Sequence, residues 1–334
     1  MLSAQEDDFV VQRLIGGPTA LANLKGKINY HELIRALKLE KGQFAIIARG
    51  RSSCICANDP TSAFGFSLLG INLRPQPKGG TIAFCRGERM EFSLLDGFSP
   101  SPGASLEQLL AELSSFLNSI NGSIAVAFSG GIDSSLVSWL LRKKDPLLIT
   151  VGSENSSDVM RAKESARVLG LNHIVVHLEQ ISSAVRAVSE FSKTIMDYSL
   201  AAGFFLASRK AAEMGAKWMV TGQMADELFG GYSRYKKLMK NEINSVLMSD
   251  FLNANLQRDA LAILYGGTTP VFPYASRPFA NLALGLPPSY KIDKSGLRMI
   301  ASMAGMPDEL VNSKKKAFQY GSGIQKAVLG ILNG

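Results

Sequence analysis

SGGIDSS, at residues 129–135, stands between the short apolar run IAVAF (124–128) and the helical pattern LVSWLLRKK (136–144). An uninterrupted apolar run of this length is typical of a strand that is buried on both faces. The glycine pair lets the backbone approach an anion closely. The first amides of the following helix are unpaired and lie at the positive end of the helix dipole. The stretch therefore predicts a phosphate-binding turn, although an ordinary turn capped by serine and aspartate stays open from these seven residues alone.

Strand and helix patterns alternate on both sides of this turn. Further apolar runs typical of strands lie at 147–152, 173–178 and 217–222. Helical patterns lie at 106–119, 132–143, 157–169, 182–192 and 199–214, and the chain beyond 232 is mostly helical in character. The alternation predicts the α/β class, with a doubly wound parallel sheet whose ligands bind beyond the carboxyl ends of the strands.

Residues 1–103 have a different pattern. Short apolar runs such as FAIIA (44–48) and TIAFC (81–85) alternate with turn-rich pieces, which predicts a small antiparallel, β-rich domain. The stretch GFSPSPGAS (97–105) has the composition of a linker. We therefore expect two domains, at 1–103 and 104–334.

Composition narrows the class of protein. Of 334 residues, 46% are hydrophobic and 19% are charged, which suits a folded chain with a sizeable core. We expect neither a membrane span nor a secretory signal, because no long uncharged apolar run occurs and the first residues include acidic ones. Three cysteines suit a reducing, cytoplasmic location. The net charge of +8 admits nucleotide or nucleic acid as a partner without choosing between them.

Two aspartates at strand ends predict a magnesium site. Asp133 would repel bound phosphates unless a cation lies between them, and Mg²⁺ resolves that conflict. After the later strand comes TGQMADELFGGY (221–232), where Asp226 is our candidate for a second Mg²⁺ ligand. Its neighbour Glu227 is either another ligand or a helix cap. After the strand at 147–152, the backbone of Val151 and Gly152 lies where it could meet an adenine edge, although a segment in which Ser157 and Asp158 only cap the next helix stays open.

These segments carry a resemblance to known families. The pattern S-G-G-x-D-S resembles the PP-loop of ATP pyrophosphatases, which cleave ATP between the α and β phosphates. SGGIDSS, VGSENSSD (151–158) and DELFGGY (226–232), in this order, resemble the synthetase domain of the asparagine synthetase family, which includes the β-lactam and carbapenam synthetases. The resemblance covers roughly residues 105–325. It is closest to the asparagine-synthetase-domain-containing branch, and residues 1–103 look like a shortened, degenerate glutaminase domain.

The resemblance implies roles for individual residues. Lys315, in a K-x-x-F segment, would neutralise charge on the α-phosphate or the acyl intermediate. Asp133 and Asp226 would bind Mg²⁺. The pyrophosphate would be held by Ser129, Gly130, Gly131, Ser134 and Ser135. The adenosine site would be lined by Ala127, Val151, Thr221 and Gly222.

The sequence departs from the family at two positions. Leu2 stands where the amidotransferases have a nucleophilic cysteine, so we expect no glutaminase activity. Nitrogen would come as free ammonia, from a separate glutaminase or from a substrate amine. Gln223 replaces the glutamate of asparagine synthetases and the tyrosine of lactam synthetases, and an amide can only orient a group, not take its proton. Candidate substitute bases are Glu190, Asp197 and Glu242.

The sequence-based hypothesis is an AMP-forming, ATP-dependent amide ligase that uses ATP and Mg²⁺. A substrate carboxylate, aspartate by default, would be adenylated and then attacked by ammonia or an amine, with Gln223 and Lys315 at the reacting groups. One alternative is a nucleotide-binding regulatory protein that lacks the transfer step. Another is a tRNA-modifying PP-loop enzyme, although nucleic acid is not our expectation because thiolation needs cysteines and none lies between 86 and 334. A homodimer stays open.

Overall fold

The protein is described here by a computed structural model that covers residues 8–24, 26–61, 63–64, 80–86, 89–95, 97–239, 241–313 and 322–333. The strands are β1 (Asp8–Gly16), β2 (Lys27–Asn29), β3 (Phe44–Arg49), β4 (Ser53–Asn58), β5 (Thr81–Arg86), β6 (Arg89–Leu94), β7 (Ile124–Ala127), β8 (Leu147–Val151), β9 (His173–Val176), β10 (Trp218–Val220) and β11 (Thr269–Val271). The helices are α1 (Tyr30–Leu39), α2 (Leu106–Ser119), α3 (Ile132–Leu141), α4 (Ser157–Leu169), α5 (Ile181–Ala187), α6 (Ile195–Glu213), α7 (Ala225–Phe229), α8 (Ile243–Asn253), α9 (Leu256–Gly266), α10 (Arg277–Gly285), α11 (Ser295–Met303), α12 (Asp308–Val311) and α13 (Ile324–Leu332).

Five parallel strands form the central sheet, in the order β11-β10-β7-β8-β9. The chain lays down β7, β8 and β9 in one direction and then returns to place β10 and β11 on the other side of β7. The strand order therefore reverses between β7 and β10. In open parallel sheets such a reversal leaves a crevice at the carboxyl ends of the two strands, and ligands bind there.

Helices cover both faces of this sheet. α3 and α4 pack against each other and against β7, β8 and β9, while α6 packs on the same strands together with α5, α9 and α13. Right-handed crossovers place the helices that follow a reversal on the opposite face from those that precede it. The sheet is thus the middle layer of an α/β/α sandwich. Strands β7, β8, β10 and β11 are mostly buried, whereas the edge strand β9 is half-buried.

The N-terminal part of the chain is a six-stranded antiparallel sheet, in the order β2-β1-β3-β4-β5-β6. Residues alternate along its central strands. Phe44 and Ile46 pack with α1 in a separate small core. Ala45 and Cys56 face the main core of the parallel-sheet region. The antiparallel sheet therefore has one face on α1 and the other on the rest of the molecule.

The observed fold confirms the predicted class: a parallel sheet, a helical C-terminal part and an antiparallel N-terminal sheet. Helices α2 and α4 have the predicted bounds, and α6 begins at Ile195 instead of at 199 because Thr194 and Asp197 form a capping box. Sequence patterns missed α1 and β11. The position of the domain boundary near residue 103 stays a prediction.

None of the helices in the described part of the chain has both the length and the apolar character to cross a bilayer.

Candidate functional site

A cleft of about 620 Å³ opens at the carboxyl ends of β7, β8 and β10, where the strand order of the parallel sheet reverses. It brings together residues from the loops after three strands and one face of α6. Its lining includes Ala127, Phe128, Ser129, Asp133, Ser134, Ile149, Val151, Leu200, Gly203, Phe204, Ala207, Thr221, Gly222, Gln223 and Asp226. One end of the cleft is therefore polar and the other apolar.

The polar end is the turn from β7 into α3. Gly131 is the N-cap of α3 and supplies no side-chain cap, so the first amides of the helix are left for another acceptor. Ser134 Oγ accepts from Ser129 N at 3.2 Å and lies 3.3 Å from Ser129 Oγ. Two hydroxyls and a helix N-terminus thus converge at one point, which is the donor arrangement that phosphate oxygens prefer.

Helix α4 holds this turn in shape. Gly130 has φ +66°, and a Cβ there would lie 2.9 Å from Ala162 Cα on α4. Ser165 Oγ donates to Gly130 O at 3.2 Å, and Arg161 Nε donates to Ser129 O at 3.3 Å. Glycine is required at this position both by the left-handed backbone and by the close approach of the helix.

A buried lysine lies between the two aspartates of the site. Lys294 Nζ is 2.7 Å from each carboxylate oxygen of Asp133 and 2.7 Å from Asp226 Oδ1. Burial opposes the charge on Lys294, but the two carboxylates outweigh that effect and raise the pKa of Lys294 above its usual range. The three side chains together carry one net negative charge.

The backbone before α11 is strained so that Lys294 can reach the site. Asp293 and Lys294 have φ values of 53° and 59°, which side-chain-bearing residues rarely adopt. Asp293 N donates to Gly230 O at 3.2 Å, and Lys294 N donates to Phe229 O at 2.9 Å. These two hydrogen bonds hold the segment that carries Lys294 (residues 291–294, called the lysine segment below) against the end of α7.

The glycine pair after α7 leaves room for that segment. A Cβ on Gly230 would lie 1.9 Å from Lys291 O, and one on Gly231 would lie 1.8 Å from Asp226 Oδ1 and 2.4 Å from Lys294 Cε. Neither position tolerates a side chain without displacement of its neighbours. The close packing of residues 291–294 against the end of α7 and against Asp226 therefore explains the glycine pair of DELFGGY.

The donor set at this end fits a magnesium ion that is shared with phosphates. Asp133 and Asp226 lie within reach of a single cation, since both contact the same ammonium nitrogen. Among the described residues no cluster of three or more His, Cys, Asp or Glu side chains is suited to hold a metal by itself. Mg²⁺ is commonly bound by one or two carboxylates together with substrate phosphates and water, so two carboxylates are enough.

Glu227 does not face this cation position in the same way. Its Oε1 accepts from Tyr232 Oη at 2.7 Å. Burial raises the pKa of Glu227, and the charge of Asp226 adds to that effect. The hydrogen-bond partner of Glu227 is therefore a tyrosine, whereas Asp133 and Asp226 share Lys294.

The other end of the cleft is apolar and flat. Ile149 lies on β8, and Leu200, Gly203, Phe204 and Ala207 lie on the cavity face of α6. The absence of a side chain at Gly203 keeps this face of the helix shallow. Aliphatic and aromatic walls close to exposed strand-end backbone are suited to a planar heterocycle such as a nucleobase.

Gln223 lies at the edge of the cleft and is held from behind. Its Nε2 donates to Asp259 Oδ2 at 2.5 Å, and Asp259 accepts from Arg258 Nη2 at 2.7 Å through its other oxygen. Arg258 Nη1 also donates to Asp197 Oδ1 at 2.8 Å. Burial raises the pKa of Asp259, while the Arg258 guanidinium and the Gln223 amide act against that rise.

Most of the residues predicted from the sequence lie at the cleft. Its lining contains Ala127, Ser129, Asp133, Ser134, Val151, Thr221, Gly222, Gln223 and Asp226. Gly130, Gly131, Ser135 and Gly152 are not part of the lining; Gly130 and Gly131 shape the turn, and Ser135 is fully buried. Lys315 lies outside the described residues. Its role stays a prediction.

The substitute bases suggested by the sequence do not line the cleft. Glu190 and Glu242 are exposed at the ends of other elements. Asp197 is occupied by Arg258 and by the capping box of α6. Within the described part of the chain, none of these three carboxylates reaches Gln223.

Sequence reasoning missed three residues that shape the site: Lys294, Asp259 and Tyr274. Tyr274 is fully buried, and its hydroxyl donates to Asp133 O at 2.8 Å, at the start of α3. Burial raises the pKa of Tyr274 well above its usual value, so the hydroxyl stays a donor. Lys294 lies three residues after the stretch LPPSYK (286–291), but no spacing rule connects that lysine to carboxylates 161 and 68 residues earlier.

Over part of its length the chain is similar to known proteins. Residues 120–269 match the family model described as asparagine synthase. A protein of Methanocaldococcus jannaschii, named as a glutamine-hydrolysing asparagine synthetase, is 28% identical over 61% of this chain and 47% of its own length. Asparagine synthetase 1 of Lotus japonicus is 30% identical over 51% of this chain and 32% of its own length.

These relatives match only part of this chain. The chain spans between about a third and a half of the length of these relatives. Among solved structures, the NMN synthetase of Francisella tularensis has a TM-score of 0.39 and 14% identity, and the match covers 64% of this chain and 77% of that one. That likeness is too weak to support an argument about function.

Proposed function

We propose that this chain, whose residues 120–269 belong to the asparagine synthase family, is an ATP-dependent amide ligase. A substrate carboxylate attacks the α-phosphorus of ATP, pyrophosphate leaves, and ammonia or another amine then attacks the acyl-adenylate. Aspartate is the first carboxylate to test, because relatives carry the name asparagine synthetase. The products are an amide, AMP and pyrophosphate.

One observation carries the proposal: the turn of donors at the start of α3 lies beside two carboxylates that already share a cation. Asp133 and Asp226 on the one ammonium of Lys294 form a site that repels a bare anion and accepts a metal-bound one. A simple anion-binding turn needs no such carboxylates. A turn that binds magnesium–triphosphate does.

Each part of the cleft has a role in the first half-reaction. The amides of α3 and the hydroxyls of Ser129 and Ser134 bind the departing pyrophosphate. Lys294 neutralises charge between phosphate and carboxylate. When bound, Mg²⁺ would be held by Asp133 and Asp226 and would supply Lewis-acid stabilisation of phosphate charge. The apolar face of α6 receives the adenine and excludes water, so that these fixed charges act in a low dielectric.

None of the cysteines of this chain lines the cleft. The chain has three cysteines, and all three lie within β4 and β5 of the antiparallel sheet. Cys54 and Cys56 are 3.7 Å apart at their sulfur atoms, and Cys56 is buried. We infer that this chain does not hydrolyse glutamine and that it uses ammonia, a separate glutaminase or a substrate amine.

A second candidate function is nucleotide binding without amine transfer. Gln223 favours it, because an amide at the position of the family's proton acceptor cannot take a proton. Both functions need the phosphate turn. Only the ligase also needs adenylation of a carboxylate and attack by an amine.

The test is a carboxylate-dependent ATP–pyrophosphate exchange screen across amino acids, with nucleotide binding measured in parallel. We expect one carboxylate to support exchange, and we expect Asp133→Asn to reduce that exchange at least about a hundredfold. Asp145→Asn is the matched control, because Asp145 is exposed and asparagine tolerates its left-handed backbone. Binding without exchange would favour the second candidate. Failure to bind ATP would overturn both.

A further inference from the structure

The three cysteines of the chain lie on one face of the antiparallel sheet. Cys54 and Cys56 are two residues apart on β4, so their side chains point to the same face. Cys85 lies directly opposite Cys54 in the register of β4 and β5, and therefore shares that face. This face packs on the rest of the molecule, because Cys56 belongs to the main core and Cys54 packs against it. The fold thus gathers thiols that are up to 31 residues apart in the sequence.

Two of these thiols are in contact. The Sγ atoms of Cys54 and Cys56 are 3.7 Å apart. Along a strand the Cα atoms of such a pair are separated by about two rises of 3.3 Å, which lies within the range of about 4.4–6.8 Å that a disulfide spans. A disulfide between them would therefore require rotation of two side chains and only a small change in the strand.

The two thiols differ in their access to solvent. Cys54 is only partly buried, whereas Cys56 is 3% exposed. A small reagent from solvent therefore meets Cys54 first, and Cys56 has only to reach Cys54. A redox-sensitive cysteine is commonly an accessible thiolate beside a second cysteine that resolves it, and the pair has this arrangement.

The surroundings favour the thiolate of Cys54. A hydrogen bond from the Cys56 thiol lowers the pKa of Cys54 to about 7; burial opposes this shift, and the charge of Arg49, opposite Cys54 on β3, supports it. The same hydrogen bond and burial raise the pKa of Cys56. Burial and the neighbouring Cys54 raise the pKa of Cys85. Of the three cysteines, Cys54 is therefore the nucleophile at neutral pH.

We propose that Cys54 and Cys56 form a reversible oxidation site, at which a hydroperoxide converts the two thiols into a disulfide. Cys54 is the attacking cysteine and Cys56 the resolving one. The site is separate from the cleft, which none of the three cysteines lines. The inference goes beyond the proposed function and does not depend on it.

The chemistry takes place in two balanced steps. The Cys54 thiolate attacks the terminal oxygen of the hydroperoxide, the O–O bond breaks, and the alkoxide leaves and takes up a proton. Cys54 is thereby oxidised to a sulfenic acid, and the hydroperoxide is reduced to an alcohol. The sulfur of Cys56 then attacks the sulfur of Cys54, the S–O bond breaks, and water leaves with the proton of Cys56. A dithiol restores both cysteines by thiol–disulfide exchange.

The experiment treats the reduced full-length chain with hydrogen peroxide in the presence of a metal chelator and then blocks the remaining thiols with N-ethylmaleimide. Peptide mass mapping should find a Cys54–Cys56 disulfide, with Cys85 alkylated, and dithiothreitol should restore all three thiols. Without peroxide, Cys54 should be alkylated at pH 7 at least about tenfold faster than Cys85, because the thiolate is the reacting form.

Serine variants separate the roles of the three cysteines. Cys54→Ser should abolish disulfide formation. Cys56→Ser should stop the reaction at the sulfenic acid, which dimedone traps as one adduct on Cys54. Cys85→Ser is the matched control, and it should form the disulfide at the rate of the unmodified protein.

Three results would overturn the inference: a Cys54–Cys85 disulfide in the unmodified protein, disulfide formation in Cys54→Ser, or peroxide treatment that leaves all three thiols reduced. If Cys56→Ser does not fold, the pH dependence of alkylation in the unmodified protein replaces it. The rate at Cys54 should rise with a midpoint near pH 7. A midpoint at the ordinary cysteine value of about 8.5 would contradict the assignment of Cys54 as the attacking thiol. None of these measurements involves ATP, so they leave the ligase proposal untouched.

Discussion

At the scale of single residues, the site depends on one cation held by two carboxylates. Lys294 supplies that cation in this structure, at 2.7 Å from both Asp133 and Asp226. A divalent metal would use the same oxygens. The lysine therefore both stabilises the carboxylates and competes for them, and the presence of phosphate shifts the balance toward the metal because it adds ligands and negative charge.

Removal of the lysine should make magnesium binding independent of nucleotide. Lys294→Met leaves two carboxylates without their common partner, so we expect a loss of about 3 kcal/mol in the free energy of unfolding. Added MgCl₂ should restore on the order of 1 kcal/mol of it by mass action, a rise in Tm of about 2 °C. Thermal unfolding with and without MgCl₂, in the absence of ATP, measures this.

Lys236→Met is the control for that experiment, because Lys236 pairs with Asp293 on the surface and both side chains are more than half exposed. An exposed pair contributes little. An equal response to MgCl₂ in the unmodified protein and in Lys294→Met would show that the lysine and the metal do not share ligands.

Residue-level prediction from sequence succeeded where the signal was local. Asp133 and Asp226 each follow a strand, and parallel strands bring their carboxyl ends to one edge, so the pairing could be predicted from two separate motifs. Lys294 could not be, because its position depends on left-handed backbone at two residues that are not glycine. Asp259 lies at the end of the segment NLQRD (255–259), where no local pattern predicts a role for it.

At the scale of elements, the short helix α7 and the segment before α11 form one unit. Their contact depends on the absence of a side chain at Gly231, where a Cβ would lie 1.8 Å from Asp226 Oδ1. We expect Gly231→Ala to displace Asp226 and Lys294 and to lower exchange about a hundredfold, as misplacement by about 1 Å does at other sites. The exchange assay of the unmodified protein is the reference.

Gly330→Ala provides the matched control on α13, because nothing lies within 4 Å of its Cβ position. That variant should keep full exchange and gain up to about 1 kcal/mol in stability. If Gly231→Ala retained normal exchange, the packing of the lysine segment would not matter for adenylation.

Helices and strands could be predicted from the sequence where their local patterns are strong. The bounds of α2 are marked by Ser105 and Gln108, a capping box that can be read directly from the sequence. α1 has a similar box at Asn29 and Glu32, but it lies among short strands and was missed. β11 has three residues, one of them proline, and exists because it pairs with β10 at the edge of the sheet. Such tertiary pairing leaves no periodic signal.

At the scale of the whole molecule, one buried side chain forms hydrogen bonds between the two sheets, in addition to the packing of their cores. Gln43, just before β3, donates from Nε2 to Phe272 O at 3.4 Å and accepts at Oε1 from Phe272 N at 3.0 Å. Phe272 follows β11 directly. The glutamine thus satisfies both backbone groups where the parallel sheet ends, and the same stretch continues to Tyr274, which holds the start of α3.

Loss of this link should weaken the whole fold. Gln43→Leu keeps the volume but leaves two buried backbone groups without partners, so we expect a decrease of about 2–4 kcal/mol in the free energy of unfolding, measured by urea denaturation. Gln257→Leu, at an exposed position on α9, should change it by less than about 0.5 kcal/mol. If the two variants were equally stable, the antiparallel sheet would not be coupled to the parallel one through Gln43. If Gln43→Leu unfolded in two separate transitions, each sheet would unfold as a unit of its own, and the Gln43 hydrogen bonds would be what makes the unmodified protein unfold in one step.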